Sequence, residues 1–192
     1  MRKGAQKTYI PRLDSAGAAP EISHMEHAAI LKQGVHAWNA FAFDEGLQAP
    51  QLRGANLCGE NLRRVNLAHA DLRGADLREV DLTISDLQGA DLSGADLRGA
   101  NLDGANFRGA TLDDADLRRA RFTGATFAGA RLRRANFHGM DLRRADFAEA
   151  NLRGANLAGT RLMWALIQGA DLGGANLTGV EVLGEPLLHA AA

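Results

Sequence analysis

A large apolar residue returns every five positions from Leu52 to Val182, and that spacing decides what the chain can become. Leu52, Leu57, Leu62, Leu67, Leu72 and Leu77 open the register, and Leu157, Leu162, Ile167, Leu172, Leu177 and Val182 close it. Two residues before each stands a small one, nearly always alanine, as at Ala70, Ala75 and Ala90. Between them lies Asp or Asn as a rule, and Gly often ends the pentad, as at Gly54, Gly59, Gly74 and Gly89.

An α-helix turns about 100° per residue, so a five-residue step advances the stripe by about 140° and spreads the leucines around the whole cylinder. A straight strand alternates faces, so an odd period throws successive leucines to opposite sides. What remains is a short extended piece with Ala and Leu both inward, followed by a bend that resets the alternation, for which Gly is suited. If each bend is a right angle, four pentads close a square coil of about 20 residues. The stretch from Pro50 to Gly184 then makes roughly seven coils at ~4.8 Å each, a rod of about 30 Å.

These residues resemble the pentapeptide-repeat proteins, whose A(D/N)LxG pattern stands here as Ala75-Asp76-Leu77, Ala90-Asp91-Leu92 and Ala155-Asn156-Leu157-Ala158-Gly159. The resemblance implies an all-β fold, a right-handed quadrilateral parallel β-helix. It leaves function open, because the family is diverse. Some members protect bacterial type II topoisomerases from quinolones or peptide toxins, a few as rods of duplex-like width and negative charge. Others dimerise through the C-terminal end. DNA gyrase or another topoisomerase, and a second copy of the chain, are therefore the partners that the resemblance implies.

Around the rod the sequence divides into a mobile N-terminal tail (1–20), a capping helix (21–46), the repeat itself (47–184) and a C-terminal tail (185–192). Ser23 and Glu26 form an S-x-x-E capping box, and Met25, Ala28, Leu31, Val35, Trp38 and Ala42 follow at helical spacing. The expectation is one amphipathic helix of about 20 residues, a lid over the unpaired edge of the first coil. His24, His27, Lys32, Gln33 and Asn39 mark its polar face.

Residues twenty apart should stack, which turns the linear sequence into columns. Phe107, Phe127 and Phe147 share one and predict an internal aromatic ladder. Asp113 and Asp114 should face Arg133 and Arg134 across one coil step. Glu60 occupies an inward alanine position, where an unpaired carboxylate is costly, and is expected to find a polar partner near the cap. Met140 and Thr160 replace inward alanines and should distort the square. Near the end Met163, Trp164 and Leu166 point outward beside Leu183. This apolar group needs a cover: either the tail with Leu187 and Leu188, or a second chain.

Chemistry is harder to find than shape. His24 and His27 have no third ligand nearby in sequence, Cys58 has no predictable histidine beside it, and Asp71, Asp76, Asp91 and Asp96 recur because the repeat recurs. No catalytic, metal or cofactor site is expected. A formal charge of −1, with arginines and carboxylates balanced between Pro50 and Gly184, gives no field toward nucleic acid or an acidic membrane. One cysteine excludes an intrachain disulfide, and the basic start at Arg2, Lys3 and Lys7 lacks the apolar segment of a signal peptide, so a cytoplasmic location is expected. The residues read as a non-enzymatic interaction scaffold whose protein partner is unknown.

Overall fold

The structure, a computed structural model, describes residues 24–44 and 49–182. Within the second of these segments every pentad behaves alike. The residue before the inward leucine pairs in parallel with its equivalent twenty positions on, as Gln51 with Asp71, Asn56 with Asp76, Asn61 with Asp81 and Asn66 with Asp86. Four pentads therefore complete one coil, and each coil is hydrogen-bonded to the next. We number the faces by their inward residues: Leu52 and Leu72 on the first, Leu57 and Leu77 on the second, Leu62 and Leu82 on the third, Leu67 and Leu87 on the fourth.

The bend has a definite form. Ala55 N–H donates to the Leu52 carbonyl at 3.0 Å, and Gly54, third of the four residues, has φ 64°. A positive φ at that position alone is the signature of a type II turn, and it explains the recurrent glycine. Ten non-glycine residues hold the same conformation elsewhere, among them Ile84 (φ 58°) and Trp164 (φ 60°). The left-handed region costs an L-residue about 1–2 kcal/mol, which cooperative stacking of the coils overrides.

The recurrent Asp or Asn has its own reason. Its side chain accepts the amide two residues on, as Asn56 Oδ1 does from Cys58 N–H and Asp76 Oδ1 from Arg78 N–H, both at 3.2 Å. This is an Asx turn, and it satisfies an amide that the bend would otherwise leave free. Where arginine replaces the acceptor, at Arg121 and Arg131, a carboxylate from the preceding coil takes over. Asp103 Oδ1 receives Thr123 N–H at 2.8 Å and Asp113 Oδ1 receives Arg133 N–H at 3.0 Å.

Inside the coils Ala and Leu alternate, almost all fully buried. Each buried leucine stabilises by roughly 1.5–3 kcal/mol. Midway along the rod phenylalanine takes over. Phe107 and Phe127 stack with centroids 5.0 Å apart and rings 4° from parallel, and Phe127 and Phe147 at 5.1 Å and 6°. Two further rings complete the cluster: Phe122 meets Phe127 edge-on at 5.5 Å, and Phe137 meets Phe147 at 5.8 Å. Phe122 comes from the adjacent third face and Phe137 from the opposite second face, contacts that the twenty-residue column does not reveal.

Of the two polar or bulky intruders, Met140 disturbs the coil and Thr160 does not. The bridge expected between Arg121 and Asp141, one residue beyond Met140, is missing from an otherwise continuous series that runs to Arg161 and Glu181. A thioether in an alanine slot wedges the two coils apart. Thr160 is fully buried, yet its hydroxyl donates to the Leu157 carbonyl at 2.8 Å and the ladder on both sides stays closed. Glu60 is half-buried and has no side-chain hydrogen bond among the described residues, so the polar partner anticipated for it is not found there.

The cap is two helices, not the single one expected. α1 (His24–Leu31) and α2 (Val35–Asp44) are separated at Gly34, whose φ of 114° no helix accommodates. Gly34 N–H donates to the Leu31 carbonyl at 3.0 Å, ending α1, while Trp38 N–H donates to the Gly34 carbonyl, starting α2. The buried stripe also differs from the one expected. Leu31 and Trp38 are buried, but with Ile30, Phe41 and His27, whereas Val35, Ala28 and Ala42 are half-buried at its margin. His27, expected on the polar face, packs edge-on to Trp38 at 5.9 Å and against Phe41 at 5.8 Å. Ser23 and the Glu26 side chain of the capping box lie outside what is described, as do the expected tails.

Candidate functional site

Three regions of the described surface carry chemistry beyond the repeat. The first is an ion-pair zipper along the second face. Arg78, Arg98 and Arg118 follow the inward leucines of successive coils, and each clamps the Asp two residues earlier with Nε and Nη2: Asp76 at 2.8 and 2.7 Å, Asp96 at 2.8 and 2.6 Å, Asp116 at 2.8 and 2.5 Å. The first two guanidiniums also reach toward the carboxylate of the next coil, Arg78 to Asp96 at 3.8 Å and Arg98 to Asp116 at 3.7 Å. Those bidentate hydrogen bonds hold the three carboxyls below the ordinary carboxylate value of 3.8. With Glu79, Gly99 and Arg119 the three arginines border a shallow groove of about 450 Å³.

A second pairing set lies on the first and third faces. Arg134 grips Asp114 through two bonds of 2.8 and 2.6 Å, as the column predicts. Asp113 does not pair with the Arg133 side chain; its partner is Arg131 at 2.8 Å, while its other oxygen receives the Arg133 amide. Arg121 and Asp103 repeat the same arrangement at 2.7 Å. The arginines of these pairs keep substantial solvent contact, although the Asp103 and Asp113 side chains are largely buried, so the pairs fix register more than they stabilise, at about 0–1 kcal/mol per exposed pair.

The third region is apolar. Among the described residues the exposed large hydrophobic side chains are Ile84, Trp164, Leu166 and Val182, and all but Ile84 belong to the last coil. Trp164 is 60% and Leu166 59% exposed, at the corner between the third and fourth faces. Arg144, one coil earlier, lies over the Trp164 ring at 5.8 Å, a cation–π contact that pins the indole to the surface. Met163 is half-buried beside it, and Ile167, Leu177 and Val180 of the same coil are likewise half-buried. Leu183, Leu187 and Leu188 lie outside the described residues.

Neither histidine nor cysteine gathers into a site. His27 is committed to the cap, and Cys58 is an exposed free thiol. Among the described residues no group of His, Cys, Asp or Glu is placed to hold a metal, and no helix is long and apolar enough to cross a membrane.

Taken together, the twenty-residue bridge spacing, the turn at every fifth residue and the Ala–Leu interior define a four-sided parallel β-solenoid. The chain belongs to the pentapeptide repeat family, whose model matches it in 8 copies over residues 51–83, 85–124, 112–147, 120–159 and 145–181. Among solved structures it is similar to HetL, a pentapeptide repeat protein involved in heterocyst differentiation regulation in the cyanobacterium Nostoc sp. strain PCC 7120. Identity there is 30%, over 69% of this chain and 82% of that one, with a TM-score of 0.25. A thylakoid-lumen pentapeptide repeat protein of Arabidopsis thaliana is 32% identical over 61% of this chain and 68% of its own, with a TM-score of 0.30. QnrB1, a plasmid-mediated fluoroquinolone resistance protein, is 21% identical over 70% and 78%, with a TM-score of 0.28. No curated protein sequence matches the chain.

Proposed function

We propose that this chain is a non-enzymatic interaction scaffold, a right-handed quadrilateral β-helix whose C-terminal apolar corner docks a second copy of itself. The observation that carries this reading is the concentration of Trp164, Leu166 and Val182, exposed together on a rod whose other faces are polar and internally paired. A self-complementary apolar patch at one end of a rod suits a two-fold dimer, because each copy buries the other's patch with the same residues. Catalysis finds no purchase on the zipper face: carboxylates locked to arginine and held below their ordinary value are weak bases and are not proton donors at neutral pH.

The test is the accessibility of Trp164 to acrylamide as protein concentration rises. Trp38 is fully buried and serves as an internal reference. Quenching of the exposed indole should fall with concentration; quenching that stays constant up to millimolar protein would refute the self-docking reading. Topoisomerase protection ranks second. Mimicry of a duplex requires a strongly acidic face, whereas here the carboxylates of the first three faces are matched by arginines. Relief of fluoroquinolone-induced gyrase cleavage by the purified protein would reverse that ranking.

A further inference from the structure

As a rule, three backbone hydrogen bonds close each face where one coil meets the next. Where residues 92–111 meet 112–131, the second face has Leu97 N–H donating to the Asp116 carbonyl at 2.9 Å, Gly99 N–H to Arg118 at 3.1 Å and Asp116 N–H to Ala95 at 3.0 Å. The third face has Leu102 N–H donating to Arg121 at 2.8 Å, with Gly104 N–H to Thr123 and Arg121 N–H to Ala100, both at 2.9 Å. One junction departs from this. Between residues 112–131 and 132–151, the amides of Leu117, Arg119 and Asn136 on the second face donate to nothing among the described residues, nor do those of Phe122, Gly124 and Asp141 on the third. No side-chain hydrogen bond or ion pair among the described residues crosses either face there. The other two faces of the same junction are closed. Leu112 N–H donates to Arg131 at 2.7 Å on the first and Phe127 N–H to Asp146 at 2.6 Å on the fourth, reinforced by the Arg134–Asp114 pair and by Thr126 Oγ1 donating to Asp146 at 3.2 Å.

The interior explains the asymmetry. On the fourth face Phe107, Phe127 and Phe147 stack nearly parallel at 5.0 and 5.1 Å, close to the ~4.8 Å spacing of paired strands, so the backbone closes over them. Phe122 and Phe137 lie on the open faces, on opposite sides of the seam, with rings tilted by 59° and centroids 6.1 Å apart. Met140 adds a thioether at the corner that those two faces share, in a slot cut for alanine. Ala120, one coil earlier in that slot, is 8% exposed, whereas the other buried alanines are at 2% or less.

We propose that this seam is a hinge held open by Met140. The bonded first and fourth faces act as its pivot, and the second and third faces open and close as the two halves of the rod rock. One rigid arm then carries the cap and the other the C-terminal apolar corner, and the angle between them adapts to whatever the scaffold docks. The arginine groove of the second face ends at Arg118 and Arg119, on the lip of the seam, and widens with it. The hinge does not depend on self-docking at the corner.

Pulsed electron–electron double resonance on the spin-labelled full chain tests this, with each sample diluted into an excess of unlabelled chain so that only distances within one chain are read. One label pair, native Cys58 with Thr178→Cys, spans the seam on the second face. The other, Gln88→Cys with Gln168→Cys in a Cys58→Ser background, spans it on the fourth; all four native side chains are exposed. Six and four coil steps at ~4.8 Å put the pairs about 29 and about 19 Å apart in a straight rod. The distance distribution on the second face should be at least about twice as broad as that on the fourth, and Met140→Ala should narrow it to the fourth-face width. In the wild type the Phe122 amide should also exchange at least about 100-fold faster than the Leu102 amide. Equal breadth on the two faces, breadth on the second face that Met140→Ala leaves unchanged, or a Phe122 amide as slow as Leu102 would each overturn the proposal.

Discussion

Replacing Phe127 with alanine tests the interior more severely than any other single change. Its ring is fully buried, stacked at 5.0 and 5.1 Å between Phe107 and Phe147, and flanked by Phe122 at 5.5 Å and Phe137 at 6.5 Å. Truncating a buried phenylalanine costs about 3–5 kcal/mol. Aromatic pairs add about 0.5–1.5 kcal/mol beyond area, and this ring takes part in four, so the loss belongs at the top of the range, near 5 kcal/mol. Against a total stability of about 5–15 kcal/mol, that unfolds much of the rod. Phe127→Leu keeps the kind of residue that fills the same slot at Leu87, and should cost about 1–2 kcal/mol, mostly the lost ring contacts. Guanidinium denaturation followed by far-UV circular dichroism measures both. An alanine variant losing less than about 2 kcal/mol, or a leucine variant as damaged as the alanine one, would refute the stacked-core reasoning.

Further expectations follow from the bend, the wedge and the zipper. Ile84→Gly should stabilise by about 1 kcal/mol in the same assay, because a β-branched residue at φ 58° is strained and its side chain is already 55% exposed. Met140→Ala should let the Arg121 and Asp141 coils close, seen as slower exchange of the Phe122 amide. Arg98→Gln should raise the Asp96 carboxyl toward 3.8 in an NMR titration. Its sign is fixed: a carboxyl depressed in the folded state stabilises above its unfolded value and loses that contribution as pH falls through the folded one. Acid unfolding of Arg98→Gln should therefore start at a higher pH than in the wild type.

Much of the rod is legible in the sequence because its period excludes both regular alternatives, so residues twenty apart can be paired from the sequence alone. The Phe107–Phe127–Phe147 stack and the Arg134–Asp114 pair follow from that column arithmetic alone. Contacts between faces do not, which is why Phe122 and Phe137 went unseen. The Asp113–Arg131 pair had a readable signal: arginine stands where the repeat wants Asp or Asn, with a spare Asp one coil earlier to replace the lost acceptor. The cap was read least well. Its helical spacing ran through Gly34 without a break, although glycine is the residue that ends a helix with positive φ, and the pattern gave His27 to solvent. A buried histidine there is explained by the Gln51 amide, a partner that lies 24 residues away and that helical periodicity cannot reveal.

The most direct test of the interaction account is sedimentation velocity of the full chain over a wide concentration range, with Trp164→Glu and Ile84→Glu as paired variants. Both positions are exposed and apolar, at 60% and 55%, and share the corner between the third and fourth faces, but Trp164 lies at its C-terminal end and Ile84 four coils earlier. The account predicts a concentration-dependent dimer in the wild type, its retention in Ile84→Glu and its loss in Trp164→Glu. A wild type that remains monomeric throughout, or a dimer that Trp164→Glu leaves intact, would contradict it.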